Sequence, residues 1–424
     1  MRVSSPRRCH FKLRLGVLLS AVAALLSATQ EGRTEVRRVA HHASVPQQQK
    51  FLDLDLTQIT RCPEGLCAHD TQGSSWPLTL DVALQNNARR QLAASRPQGA
   101  ALTAINVKTG KIIALAEWPK AASSDKSVLL RRFPAASLFK LVTSAALIEN
   151  AHVPPELIVC TQGGLHRLQE ENLTAPQDGV ANCNPFSEAL GFSRNAAFAQ
   201  LAHRYLTPED LDNFADRFGF GSPLPLETRV DFGDFAAEVE PLDFARTATG
   251  FEGSTLSPLG AAYLAYVIAN QGHTGRLQLL DTKESTQPQP MPEFAAIRPE
   301  TASIMHRMME LTVRRGTSWR AFHDAHGRPY LPHVSVAGKT GTLGDSEVTV
   351  SWFVGFAPSQ NPEVAISVLL RNGELWHKKA NEVARDWLRE YFTQPRTQQP
   401  ARSSRKRTRP RDVYASASEV QPSH

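Results

Sequence analysis

The chain has 424 residues, room for one large domain or two ordinary ones around a sizeable core, and its 41% apolar content excludes disorder for most of it. A formal charge of +6 points to a nucleic-acid or membrane partner only until the charge is located. Residues 1–14 carry five basic and no acidic side chains, and residues 393–424 carry seven basic and two acidic; the body keeps 35 basic against 39 acidic, so nucleic-acid binding is not supported for the folded part.

At the N-terminus, Arg2, Arg7, Arg8, Lys12 and Arg14 precede the apolar run Leu15 to Leu26, the pattern of an export signal too short for a comfortable membrane span. Cleavage after Ala28 and retention of residues 1–28 as a short anchor both stay open. Either way the body is expected to be exported, periplasmic or anchored to the outer face of the inner membrane. Cys9 precedes the apolar run, which argues against a lipoprotein site. Residues 29–84 read as a short, polar, irregular extension with one amphipathic stretch near Phe51, and residues 80–94 as the helix that starts the body. The runs 102–107 and 112–116, joined by Lys108-Thr109-Gly110-Lys111, read as a β-hairpin.

A helix over about 136–150 is apolar enough, through Leu141, Val142, Leu147 and Ile148, to be buried and central. A mainly helical stretch follows, with helices over 196–204, 208–218 and 258–269, then a strand and Pro-rich loop over 274–296 and a helix over 299–314. Residues 334–339, 348–356 and 364–370 read as strands and 380–392 as a final helix. This order predicts an α+β fold, an antiparallel sheet covered by helices plus a helical subdomain, in which the early hairpin pairs with the late strands. The body then spans residues 85–392. Residues 393–424, with Arg405-Lys406-Arg407 among Ser, Pro and Gln, read as a basic disordered tail.

Without residues 1–28 four cysteines remain, an even number that in an exported chain favours disulfides. Three pairings are possible, of which Cys62 with Cys67 and Cys160 with Cys183 close short local loops. Cys-x4-Cys with no nearby His pair is a poor zinc ligand set, and there is no His-Glu-x-x-His or Gly-rich phosphate loop, so neither metal nor cofactor is expected.

Ser137-Leu138-Phe139-Lys140 sets a hydroxyl and an amine three residues apart on one helix face, where a desolvated lysine can take the serine proton. The first turn also offers free N–H groups and the positive end of the helix dipole to an oxyanion. Alone, the same four residues fit a helix start with a solvated lysine. Ser193-Arg194-Asn195 stands 56 residues on, ahead of a helix, where the ordinary use of Ser and Asn is capping. Lys339-Thr340-Gly341-Thr342 ends a strand 146 residues further. Position carries the signal rather than the letters, because Lys108-Thr109-Gly110 repeats the triplet in a hairpin turn before the nucleophile.

In this order, Ser-x-x-Lys, Ser-x-Asn and Lys-Thr-Gly resemble the penicillin-binding transpeptidase family of the serine β-lactamase and D,D-peptidase superfamily. The likeness covers roughly residues 85–392 and includes the Pro-Ala-Ala lead-in to Ser137, Leu256-Ser257-Pro258-Leu259, Arg315-Gly316-Thr317 and Trp352-Phe353-Val354-Gly355. It implies that Ser137 forms an acyl-enzyme with Lys140 as its base, that Ser193 relays a proton, and that Asn195 bonds the substrate amide or orients Lys140. Lys339 would supply positive potential and Thr340 and Thr342 would hold the terminal carboxylate. Gly341 would admit the substrate, and the N–H groups of Ser137 and Thr342 would form the oxyanion hole. The implied activity is a D,D-transpeptidase acting on peptidoglycan stem peptides ending in D-Ala-D-Ala and acylated by β-lactam antibiotics.

A D,D-carboxypeptidase would use the same residues. A serine β-lactamase of the class D kind must add fast deacylation, for which no Glu stands out and which Asn195 disfavours. A non-hydrolytic β-lactam sensor or wall-synthesis scaffold is the third alternative. High-molecular-mass relatives carry a large N-terminal pedestal or a glycosyltransferase, whereas here about 55 residues separate the export segment from the body; a glycosyltransferase or a divisome or elongasome protein is the partner class the resemblance implies.

Overall fold

The computed structural model describes residues 51–165, 167–176, 181–281, 294–344 and 348–393. The export segment, residues 394–424 of the tail and residues 282–293 of the Pro-rich loop lie outside the described residues.

Residues 51–80 correct the expectation of an irregular extension. Strands β1 (Leu54–Cys62), β2 (Gly65–Asp70) and β3 (Ser75–Pro77) form an antiparallel sheet, with Cys62 bonded to Cys67 across the first turn. Leu54, Leu56, Ile59, Leu66 and Leu78 enter the same core cluster as the helix that follows Ser137. The alternation is easy to miss because Asp53, Asp55 and Gln58 occupy the facing positions and the strands are short.

Helix α1 (Val82–Ala94), capped by Asp81, leads into the hairpin β4 (Gly99–Asn106) and β5 (Ile112–Trp118). Strand β6 (Phe133–Pro134) and a 3-10 turn over Ala136–Leu138 precede α2 (Lys140–Glu149), in which every residue from Lys140 to Ile148 is buried. The helical block then contains β7 (Ile158–Thr161) and β8 (Asn182–Pro185), tied by the Cys160–Cys183 disulfide, and α3 (Phe186–Gly191), α4 (Asn195–Tyr205) and α5 (Pro208–Phe218). Short β9 (Gly233–Phe235), α6 (Pro241–Thr249) and β10 (Ser254–Leu256) lead to α7 (Pro258–Ala269), and α8 (Pro299–Arg314) and α9 (Trp319–Phe322) follow. The chain closes with β11 (Ala337–Gly344), β12 (Thr349–Ala357), β13 (Val364–Asn372) and α10 (Ala380–Thr393).

The late strands and the early hairpin make one five-stranded antiparallel sheet, ordered β11-β12-β13-β4-β5. Helix α7, all twelve residues buried, covers one face, and α1 and α10 cover the other through Leu84, Leu92, Val383 and Trp387. Fully burying one such large side chain stabilises the fold by roughly 1.5–3 kcal/mol. The α+β architecture is therefore as the element order requires.

Two strand expectations change. The ladder of β11 begins at Ala337, opposite Phe356, so residues 334–336 lie outside the sheet, with Ser335 O accepting from Ser359 N at 3.0 Å and Val336 buried in the core. Lys339 consequently sits inside the strand rather than at its end. In place of a strand after residue 274, the described residues make isolated bridges, Gln278 with Lys111 and Leu280 with Leu78.

Candidate active site

Four neighbours hold the turn that carries Ser137. Trp352 of β12 donates its indole N–H to Pro134 O at 2.9 Å, and Ala135 N donates to Ser254 O at 3.0 Å. Ala136 itself has φ 49°, a left-handed conformation that a non-glycine residue holds only when its surroundings dictate it. Gly250, the left-handed cap of α6, meets it: a Cβ there would lie 2.0 Å from Ala136 O. From the sheet side, a Cβ on Gly341 would stand 3.3 Å from Ala135 O, a tight approach that brings β11 up against the nucleophile's turn.

Lys140 is fully buried, and its Nζ lies 2.7 Å from Ser137 Oγ. The amine also donates to Asn195 Oδ1 at 2.7 Å and to the Thr249 carbonyl at 3.0 Å. Asn195 Nδ2 donates to Leu165 O at 2.6 Å, which fixes the amide with its oxygen toward the lysine. Among the described residues no carboxylate pairs with Lys140. Burial first, and the nearby charge of Lys339 second, hold its pKa well below the ordinary lysine range.

Ser193 occupies the bend between α3 and α4 with φ 57°. The cap of α4 is Arg194, with no side-chain capping bond, so neither Ser193 nor Asn195 serves the helix end. Instead Ser193 Oγ accepts from Lys339 Nζ at 2.9 Å. Lys339 is also fully buried, donates to Thr340 O at 2.6 Å, and is lowered by desolvation to a pKa of about 7.

As the edge strand, β11 sends Lys339 and Gly341 to the face that meets the nucleophile's turn and Thr340 to the other. The Thr340 hydroxyl, assigned by resemblance to a substrate carboxylate, lies 2.7 Å from Thr317 Oγ1. Thr342 is exposed on the wall of a groove of about 420 Å³ that is also lined by the half-buried Ser137, Asn195 and Leu343, the buried Thr249 and the exposed Trp376.

The second copy of the triplet is elsewhere. Asn106 Oδ1 accepts from the backbone N–H groups of Lys108 and Thr109 at 3.1 and 3.0 Å, and Gly110 has φ 70°, as a hairpin turn needs. The cluster Cys62, Glu64 and Cys67 has metal-like proximity, but its thiols are spent in the disulfide. Sequence reasoning missed Thr249, Gly250, Leu165, Thr317 and Trp376. Thr249 and Leu165 act through backbone carbonyls, which leave no residue-type signal; Gly250 as a helix stop and Thr317 in Arg315-Gly316-Thr317 were the readable hints.

The family model described as Penicillin binding protein transpeptidase domain matches residues 100–389. Peptidoglycan D,D-transpeptidase PbpA of Mycolicibacterium smegmatis is 25% identical over 361 residues, 74% of this chain and 70% of the relative. Stage V sporulation protein D of Bacillus subtilis is 26% identical over 368 residues, 77% of this chain and 55% of its own length. Among solved structures, the ceftriaxone acyl-enzyme complex of penicillin-binding protein A from M. tuberculosis superimposes with a TM-score of 0.59 at 22% identity, covering 75% of this chain and 80% of that one. With its fold, its buried serine–lysine pairs and a family match that spans most of its length, the chain belongs to the penicillin-binding protein transpeptidase family.

Proposed function

We propose that the protein is a serine D,D-transpeptidase of peptidoglycan that β-lactams acylate. The observation that carries the reading is a fully buried Lys140 with no carboxylate partner among the described residues, its Nζ 2.7 Å from Ser137 Oγ. A neutral amine in that position is a base of the strength needed near neutral pH.

In the first half-reaction Ser137 Oγ bonds to the carbonyl carbon of the penultimate D-Ala while its proton passes to Lys140. The N–H groups of Ser137 and Thr342 receive the oxyanion, each contributing roughly 2.7–4 kcal/mol by the measure of comparable acyl-transfer sites. The C–N bond then breaks, and the departing D-Ala nitrogen takes the Ser193 proton, which Lys339 replaces. In the second half-reaction an acceptor amine attacks the ester and gives its proton back through Ser193 to Lys339. Lys140 returns the first proton to Ser137, and all groups are restored. Lys339 supplies positive potential for the terminal carboxylate of the donor, the Thr342 hydroxyl holds it, and Asn195 aims Lys140.

The two disulfides and the charged, apolar start of the sequence support a body that works outside the cytoplasmic membrane. Incubation with a fluorescent penicillin is expected to label the protein persistently and Ser137→Ala not at all, with cross-linked product formed from a pentapeptide donor and an amine acceptor. An unlabelled wild type overturns the reading. Label lost within seconds makes the protein a β-lactamase, and release of D-Ala without cross-linking makes it a carboxypeptidase.

A further inference from the structure

The segment after α8 touches both sides of the site without entering the chemistry above. Arg315 pairs with Glu188 of α3 at 2.9 Å. Gly316 lies so close to the end of α3 that a Cβ would be 2.2 Å from Gly191 O, and Thr317 N donates to that same carbonyl at 3.1 Å. On its other side Thr317 Oγ1 is 2.7 Å from Thr340 Oγ1. The segment is itself anchored, with Ser318 N donating to Thr312 O at 2.9 Å and Ser318 Oγ accepting from Asn381 Nδ2 of α10 at 3.1 Å.

Gly191 is two residues before Ser193, and Thr340 is the residue after Lys339. We infer that Thr317 is a positioning residue that ties the Ser193 bend to strand β11 and so keeps Ser193 Oγ at hydrogen-bond distance from Lys339 Nζ. The need for such a tie lies in the two elements it joins. Ser193 holds a left-handed conformation, which must be imposed from outside. Strand β11 has a neighbour on one side only, so half of its backbone groups gain no ladder bond to hold their position. A shared hydroxyl bond at Thr340, with a backbone bond at Gly191, fixes one element against the other.

The inference rests on the proposed acyl-transfer reading, and its test is a ratio among active enzymes, so it fails separately from that reading. Thr317→Val keeps the shape and removes the hydroxyl; Thr317→Ser keeps the hydroxyl. Second-order acylation by fluorescent penicillin is expected to fall about tenfold in the Val variant and to stay within about twofold in the Ser variant, with melting temperatures unchanged, since small misplacements of catalytic groups cost rate steeply. Equal rates in wild type and Thr317→Val, or equal losses in the Val and Ser variants, each overturn it. If Thr317→Val does not fold, Thr317→Ala against Thr317→Ser reads the same bond, with the same two outcomes. An unlabelled wild type would instead remove the underlying function.

Discussion

Ser137–Lys140 and Ser193–Lys339 are two serine–lysine pairs at nearly equal separations, 2.7 and 2.9 Å, with both amines fully buried. They are built in opposite ways. The first is local: one turn places both groups, and Asn195 and the Thr249 carbonyl finish the coordination of the amine. The second joins a bend of the helical block to an edge strand 146 residues away, so its geometry depends on how two separate elements are held. The electrical consequence also differs. Lys339 is lowered by desolvation alone, whereas Lys140 is lowered by desolvation and by the charge on Lys339. The two amines therefore divide the work: burial and the charge of Lys339 both push Lys140 toward the neutral form that a base needs, while Lys339 keeps the charge until about pH 7.

The sharpest way to break this division is to remove each amine in turn. Lys140→Met is expected to cut β-lactam acylation by about 10³-fold, within the span of general-base effects. Lys339→Met is expected to cost about 10- to 100-fold, through the lost attraction for a carboxylate-bearing donor. In the wild type the second-order rate should follow a bell, falling on the acid side as Lys140 gains a proton and on the alkaline side near pH 7 as Lys339 loses one. Lys339→Met should keep the acid limb and lose the alkaline one. If Lys140→Met costs no more than Lys339→Met in stopped-flow acylation, the roles are not divided in this way.

The same contrast explains what was legible in the sequence. Ser137 and Lys140 are readable because the i, i+3 rule operates within four residues. Ser193 and Lys339 carry no such local sign, and a capping serine and a strand lysine look alike until the fold brings them together. The strands of the five-stranded sheet were readable as short apolar runs bounded by turns, while β1 to β3 escaped because Asp and Gln fill their facing positions. The start of β11 was misread because Val334 and Val336 have strand-like character yet lie ahead of the ladder, which begins at Ala337. Backbone carbonyl acceptors such as Thr249 O, which takes a hydrogen bond from Lys140, are beyond any reading of residue types.

A smaller effect tests the cost of burying the second pair. The folded pKa of Lys339, about 7, lies below its ordinary value of 10.5, so between these limits the unfolded chain binds the extra proton. Stability from this residue is therefore lost as pH falls from about 10.5 to about 7 and is constant below. Lys339→Met lacks that dependence. Its stability relative to wild type should be greatest at pH 7 and should shrink by about 2 kcal/mol on moving to pH 9, from urea unfolding at both values. A gap that does not change with pH would mean that Lys339 stays charged in the folded protein.

The smallest expected effect concerns the other copy of Lys-Thr-Gly, where the letters match and the surroundings do not. At residues 108–110 the work falls to the glycine and the backbone: Gly110 has φ 70° and a Cβ there would lie 2.4 Å from Arg276 O. The lysine contributes its backbone N–H to Asn106, while its residue is exposed, so the ammonium does nothing that the fold requires. Lys108→Ala should leave acylation within about twofold and stability within about 0.5 kcal/mol, the range of ordinary surface substitutions. At residues 339–341 the order inverts, and the buried amine is the group whose loss is felt. A drop in acylation for Lys108→Ala as large as that for Lys339→Met would mean that sequence motif, not burial and neighbours, decides what a lysine does in this protein.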